Sequence, residues 1–183
     1  MRSLLHAVAL GVLGAGILHI AVLLLVPELT ERSAWSRLAA TSEPYRIVQL
    51  LPETGGAPVV KSVDPLFSAV ACRFDLDEGM VQVKGPAQAL PFWSASVYDR
   101  NGHNVFSLND HGATNRRLDI VVLKPSQMIE VRKNLPAEYE GAIFVETPID
   151  SGIVVIRAFA PDESWRPAAR QLLEQGSCTS RPP

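Results

Sequence analysis

Between Phe92 and Gly112 the chain reads FWSASVYDRNGHNVFSLNDHG, which gathers hydroxyls, an arginine, amides and two histidines. Asn101-Gly102 supplies two residues that tolerate positive φ, a strong signal for a tight hairpin. A two-residue loop pairs Arg100 with His103, Tyr98 with Val105 and Ser96 with Ser107. Side chains alternate across a strand, so one face carries Trp93, Ala95, Val97, Phe106 and Leu108, the core side. The other carries Ser94, Ser96, Tyr98, Arg100, His103, Val105, Ser107 and Asn109, with His111 just beyond. This polar face is the candidate ligand-binding surface. With His103 or His111 as base it would also suit a hydrolytic enzyme, the alternative function. His103 and His111 with Asp99 or Asp110 are metal-ligating types, although nothing in their spacing makes them converge. The plain alternative is the solvent side of an antiparallel sheet, which is polar by default.

Other chemistry-bearing patterns are weak. The chain contains no HExxH, CxxC, GxSxG or Walker sequence, and no cofactor is expected. GVLGAG at Gly11–Gly16 follows no strand and lies in an apolar run, which argues against dinucleotide binding. Ala7, Gly11 and Ala15, four apart on one helix face, are instead candidates for close helix packing and self-association, with His19 continuing the row. Asp75, Asp77 and Glu78 beside Gly79 read as a turn. Cys178 has no base placed near it that would make a thiolate nucleophile.

The elements that must position these residues begin with an anchor. Leu4 to Val26 is a run of 23 residues without Asp, Glu, Lys or Arg. At about 1.5 Å per residue it covers a hydrocarbon core of roughly 30 Å. A signal peptide has a shorter apolar region and a small-x-small cleavage site. With Ala34 or Ala40 at the minus-one position of such a site, Arg32 or Leu38 falls at minus three, so the run is read as an uncleaved anchor. The flanking Lys and Arg count does not decide its orientation. Of 17 Lys and Arg, 16 follow the span with all 19 Asp and Glu, in no basic cluster. That argues against a nucleic-acid partner and leaves the membrane as the expected one. The two cysteines, Cys72 and Cys178, both follow the span and read either as one disulfide or as two buried thiols.

Beyond a polar stretch from Thr30 to Ser42, which suits a short interfacial helix, the periodicity becomes that of strands. Candidates are Tyr45–Leu51, Leu66–Leu76, Met80–Lys84, the Phe92–Asn109 hairpin, Leu118–Lys124, Ala142–Glu146 and Ile153–Phe159. PETGGAP at 52–58 reads as a loop. Pro125–Asn134 and Trp165–Gln175 read as helices, each with proline in the first turn. The expected fold is mainly β: an antiparallel β-sandwich or open barrel with two short helices, preceded by one transmembrane helix. The expected organisation is 1–27 N-terminus and anchor, 28–44 juxtamembrane linker and 45–183 β domain.

DPLFSAVACRFDLDEGMVQVKGP followed by FWSASVYDRNGHNVFSLND resembles the bacterial domain-of-unknown-function family 1254 in its short membrane-anchored form. The matching positions are Asp64-Pro65, Asp75-Leu76, Gly79, Phe92-Trp93-Ser94, Tyr98-Asp99, Asn109-Asp110 and Cys178. The resemblance implies a β-rich fold and a bacterial inner-membrane location. It also implies a cytoplasmic N-terminus, a periplasmic β domain and a Cys72–Cys178 disulfide. It transfers no catalytic residue. The expected function is a non-catalytic envelope interaction or ligand-binding module, against the hydrolytic alternative.

Overall fold

The computed structural model describes residues 2–30, 34–51, 59–60, 64–86 and 92–182, without side chains at 26–30. The 52–58 stretch read as a loop lies outside the described residues. The chain divides into two compact units, Met1–Ser33 and Ala34–Pro183. The first holds one helix, α1 (Arg2–Thr30), long and apolar enough over Arg2–Leu25 to cross a membrane. Its leucines, valines and isoleucines from Leu4 to Leu25 are exposed, as a lipid-facing helix requires. GVLGAG lies within it, and the space a Cβ at Gly11 would enter is open.

The second unit is a two-sheet sandwich. One antiparallel sheet is ordered β1 (Ile47–Gln49), β2 (Phe67–Asp75), β8 (Ser151–Phe159), β4 (Trp93–Asp99), β5 (Asn104–Asn109). The other is ordered β7 (Ile143–Glu146), β6 (Asp119–Leu123), β3 (Met80–Lys84), β9 (Ser177–Arg181). The main core lies between them. Val70, Cys72, Phe74, Trp93, Ala95, Val97, Val154 and Ile156 come from the first sheet. Val81, Val83, Ile120, Val122, Val145 and Cys178 come from the second. Each large apolar side chain fully buried here contributes about 1.5–3 kcal/mol before entropy. Cys72 on β2 and Cys178 on β9 stand at disulfide distance across this core, with their Cα atoms 6.5 Å apart.

Helices cover the sheets. α3 (Pro125–Lys133) and the turn at Ala137–Tyr139 bury Met128, Val131 and Tyr139 against Met80, Val121 and Leu123 on the outer side of the second sheet. Gln127 stops α3 from fraying: its Oε1 accepts from the Lys124 backbone N–H at 2.8 Å, and its Nε2 donates to the Leu76 carbonyl. α4 (Arg166–Glu174) contributes Ala169 and Leu173 to the main core. α2 (Ala34–Thr41) buries Leu38 among Leu50, Ala69, Ala71 and Ile153 on the outer side of the first sheet.

The fold class is the expected one, with differences of detail. Asp77-Glu78-Gly79 does not fold β3 back onto β2; it carries the chain from one sheet to the other. β7 runs parallel to β6, because α3 intervenes and returns the chain to the same end. Ser177–Arg181 is a ninth strand, missed because only Cys178 in it is buried. Among the described residues three α-helices follow α1, since α2 packs on the sheet.

Candidate functional site

The hairpin forms with the expected register where it is deepest: Ser94 faces Asn109, Ala95 faces Leu108, Ser96 faces Ser107 and Val97 faces Phe106. Nearer the turn it departs. Asp99 N–H donates to His103 O at 3.0 Å, and Gly102 N–H donates to Asp99 O at 3.1 Å. The loop therefore spans Arg100, Asn101 and Gly102, and only Gly102 takes positive φ, at 87°. This is the three-residue loop with a glycine bulge, in place of the two-residue Asn-Gly turn. The extra residue shifts the pairing, so Tyr98 faces Asn104. Val105 instead packs against the main core. The bulge has replaced a valine on the polar face by an amide.

The polar face lies on the outer side of the first sheet, and its centre is an arginine from another strand. β8 sits between β2 and β4, with Arg157 opposite Ser94 and Val155 opposite Ser96. Arg157 Nη2 donates to the Tyr98 hydroxyl at 3.2 Å, and Nη1 reaches Ser96 Oγ at 3.5 Å. Ser107 donates to Ser96 Oγ at 3.0 Å, and Asn104 Nδ2 donates to Ser107 Oγ at 2.8 Å. Ser96 is 5% exposed, while Asn104 and Ser107 are open to solvent. Burial alone would push the Tyr98 hydroxyl up. The hydrogen bonds from Arg157 and Ser96 and the Arg157 charge outweigh it, and Tyr98 lies below the ordinary tyrosine value. The patch is a cation with a ring of acceptors and donors, suited to hold a polar or anionic group.

The remaining candidates lie around it. Arg100 leaves the patch and stacks over the Trp35 ring of α2 at 5.9 Å, beside Arg73 at 5.4 Å. His103, 77% exposed, is 2.8 Å from Asp99 Oδ2. Asp99 Oδ1 accepts the Asn101 and His103 backbone N–H groups at 2.9 and 2.8 Å. Burial raises the Asp99 carboxyl, but these hydrogen bonds, led by the His103 ring, bring it below the usual range. Ser94 and Asn109 pair at the far end, where Asn109 Oδ1 caps the turn by accepting from His111 and Gly112 N–H groups at 3.2 Å.

At that end Asp110 is the buried charge. Its carboxylate is 2% exposed and accepts both Nη2 and Nε of Arg116, the latter at 3.1 Å. His111 Nδ1 is 3.2 Å from its second oxygen. The Arg116 hydrogen bond holds Asp110 below the usual carboxylate range. Arg116 sits at positive φ, 57°, and its carbonyl accepts the Trp93 indole N–H at 3.1 Å. Holding a non-glycine residue there costs about 1–2 kcal/mol, so its contacts must outweigh that cost.

The structure thus brings Ser96, Tyr98 and Ser107 together and keeps His103 and His111 at opposite ends of β5. The six residues of β5 lie between them, a span of roughly 20 Å. The two Asp–His pairs therefore do not merge, and among the described residues no group of three His, Cys, Asp or Glu side chains could hold a metal ion. Two members of the patch were not foreseen. Asn104 depends on the bulge, for which Gly102 was the only signal. Arg157 depends on β8 lying beside β4, although Arg157 is the one charged residue in that strand.

The profile described as "Protein of unknown function (DUF1254)" matches residues 48–180. No curated protein matches the chain. Two solved structures share the fold. The VPA0106 protein of Vibrio parahaemolyticus superposes with a TM-score of 0.59 at 9% identity, covering 82% of this chain and 35% of that one. A putative uncharacterized protein from Burkholderia cenocepacia gives 0.51 at 12% identity, covering 84% and 41%. The chain therefore spans about a third of the length of the first of these proteins and about two-fifths of the second.

Proposed function

The chain belongs to the DUF1254 family, and from that premise we propose that it is a membrane-anchored binding module of the bacterial envelope. In this reading residues 1–27 are the cytoplasmic N-terminus and inner-membrane anchor and 45–183 the periplasmic domain, with α2 of the 28–44 segment packed on that domain. The cysteine pair supports that placement, because disulfides persist in oxidising compartments. The Ala7-Gly11-Ala15 face of α1 offers a route to self-association in the membrane.

The observation that carries a binding role is the Arg157 patch on a sheet face that α2 covers only in part. A binding face needs a fixed cation and oriented polar groups, and Arg157, Tyr98, Ser96, Ser107 and Asn104 provide them. Hydrolysis would need a serine with a base in hydrogen-bond reach. Ser96 and Ser107 are engaged with each other, while the rings of His103 and His111 lie against Asp99 and Asp110. The module therefore holds its ligand or envelope partner without turning it over.

The test is a crosslinking pull-down from intact membranes, with an Arg157→Gln, Ser107→Ala double variant as control. The wild-type chain is expected to give adducts that fall at least about tenfold in the variant, the loss typical of an interface arginine. Equal recovery from both chains would remove the patch from the proposal.

A further inference from the structure

Arg157 is the anomaly on the polar face. Taking a cation even partly out of water costs free energy unless a counter-charge repays it. Elsewhere in the domain it is repaid. Lys84, Lys124, Lys133, Arg116, Arg132 and Arg166 each have a carboxylate within 3.9 Å. Arg157 is half-buried, and its partners among the described residues are neutral, the hydroxyls of Tyr98 and Ser96. The outer positions of β4, β5 and β8 carry no Asp or Glu that could reach it. Arg73 and Arg100, over the Trp35 ring, add positive charge on the same side of the sheet.

The hydrogen bonds also have a direction. A guanidinium donates and cannot accept. Tyr98 and Ser96 therefore accept from Arg157, Ser96 accepts again from Ser107, and Ser107 accepts from Asn104. The network spends acceptors and leaves donors. Left over are the Tyr98 O–H and those N–H groups of Arg157 that Tyr98 and Ser96 do not take. The contributing side chains all stand on the outer face, on three adjacent strands, so the leftover donors serve one ligand group.

We infer that this face binds an oxyanion, a phosphate, sulfate or carboxylate group of the ligand, held by Arg157 and the Tyr98 O–H. A guanidinium with spare N–H groups meets two oxygens of such a group at once. Partial burial strengthens the attraction relative to a fully hydrated arginine. The inference rests on the binding role proposed above and names the chemistry that the face selects.

The test titrates the full chain in nonionic detergent with sulfate, inorganic phosphate and acetate, at an ionic strength held constant with chloride. Glycerol and choline are the neutral and cationic comparisons. Binding is read by calorimetry and by the nitrogen resonance of the Arg157 guanidinium, assigned through its loss in Arg157→Gln. Saturable binding is expected for at least one oxyanion and for neither comparison. The order of the three oxyanions separates a phosphate or sulfate from a carboxylate. Arg157→Gln should weaken that binding at least about tenfold. Tyr98→Phe, which removes one hydrogen-bond donor and keeps the ring, should weaken it about fivefold. Arg157→Lys should restore part of the loss, and Arg132→Gln, on α3, should change nothing. Equal binding of glycerol or choline, no saturable binding of any oxyanion, or full affinity in Arg157→Gln would each overturn the inference. If no oxyanion binds while the crosslinked adducts still fall in the Arg157→Gln, Ser107→Ala variant, the binding role stands and its ligand is of another class.

Discussion

The two ends of the β4–β5 hairpin carry the same pair of residue types in opposite settings. At the turn, Asp99 holds His103, and the histidine stands 77% exposed. At the base, Asp110 stands beside His111, but its carboxylate is 2% exposed and its main partner is Arg116. The first aspartate organises a loop, taking two backbone N–H groups within its own turn. The second ties three segments together: its backbone N–H bonds to Trp93 O, its carboxylate to Arg116, and the Arg116 carbonyl to the Trp93 indole. Each aspartate–histidine pair thus belongs to the holding of a turn. Several positions that carry the family resemblance act in the same structural way. Asp75 and Asn109 cap turns, and Gly79, at φ 144°, sits where a Cβ would meet the Arg181 carbonyl at 2.5 Å. The matching residues mark where the chain must bend.

This contrast can be broken by substitution. The largest effect is expected from Asp110→Asn, which leaves Arg116 without its carboxylate at a strained φ. Chemical denaturation near neutral pH should show a loss of about 2–3 kcal/mol. Because folding depresses the Asp110 pKa, its contribution is present above the unfolded value of about 3.9 and lost as pH falls through the folded value. The wild-type and variant stabilities should therefore converge in acid. A pH-independent gap would remove the ion pair as the cause. Asp99→Ala comes next, at about 1 kcal/mol, since the two N–H groups it releases can turn to water. If it cost more than Asp110→Asn, the ranking of the two ends would be reversed. The smallest effect is expected from His103→Ala, within about 0.5 kcal/mol, because its ring is exposed and its pair screened. Loss of folding on that substitution would show that the turn is held by the ring.

Local pattern made much of this legible. MVQVK is β3 residue for residue, and the alternation from Trp93 to Val97 set the hairpin register because one face is buried. What was not legible is non-local. Arg157 reaches Tyr98 only because β8 lies between β2 and β4, a neighbourhood that no local window contains. The separation of β2 from β3 was hidden for a different reason: a three-residue acidic turn serves a hairpin and a sheet crossing equally well. Arg116 carried no signal in the sequence, because its role depends on a buried Asp110 and on a backbone conformation arginine seldom takes. Ser177–Arg181 lacks an apolar rhythm because an edge strand with one buried residue does not need one.

Cys72 and Cys178, 106 residues apart in the chain, meet between the sheets. With the bond closed, tension applied between an N-terminal tether and the C-terminus would bypass almost everything between β2 and β9. The covalent link would carry the load, and only the segments before Cys72 and after Cys178 could lengthen. The hairpin and its polar face lie inside the bypassed loop. Under such tension the polar face would stay folded at forces that peel β1 away. Reduction of that one bond would remove the protection without altering a single residue of the face.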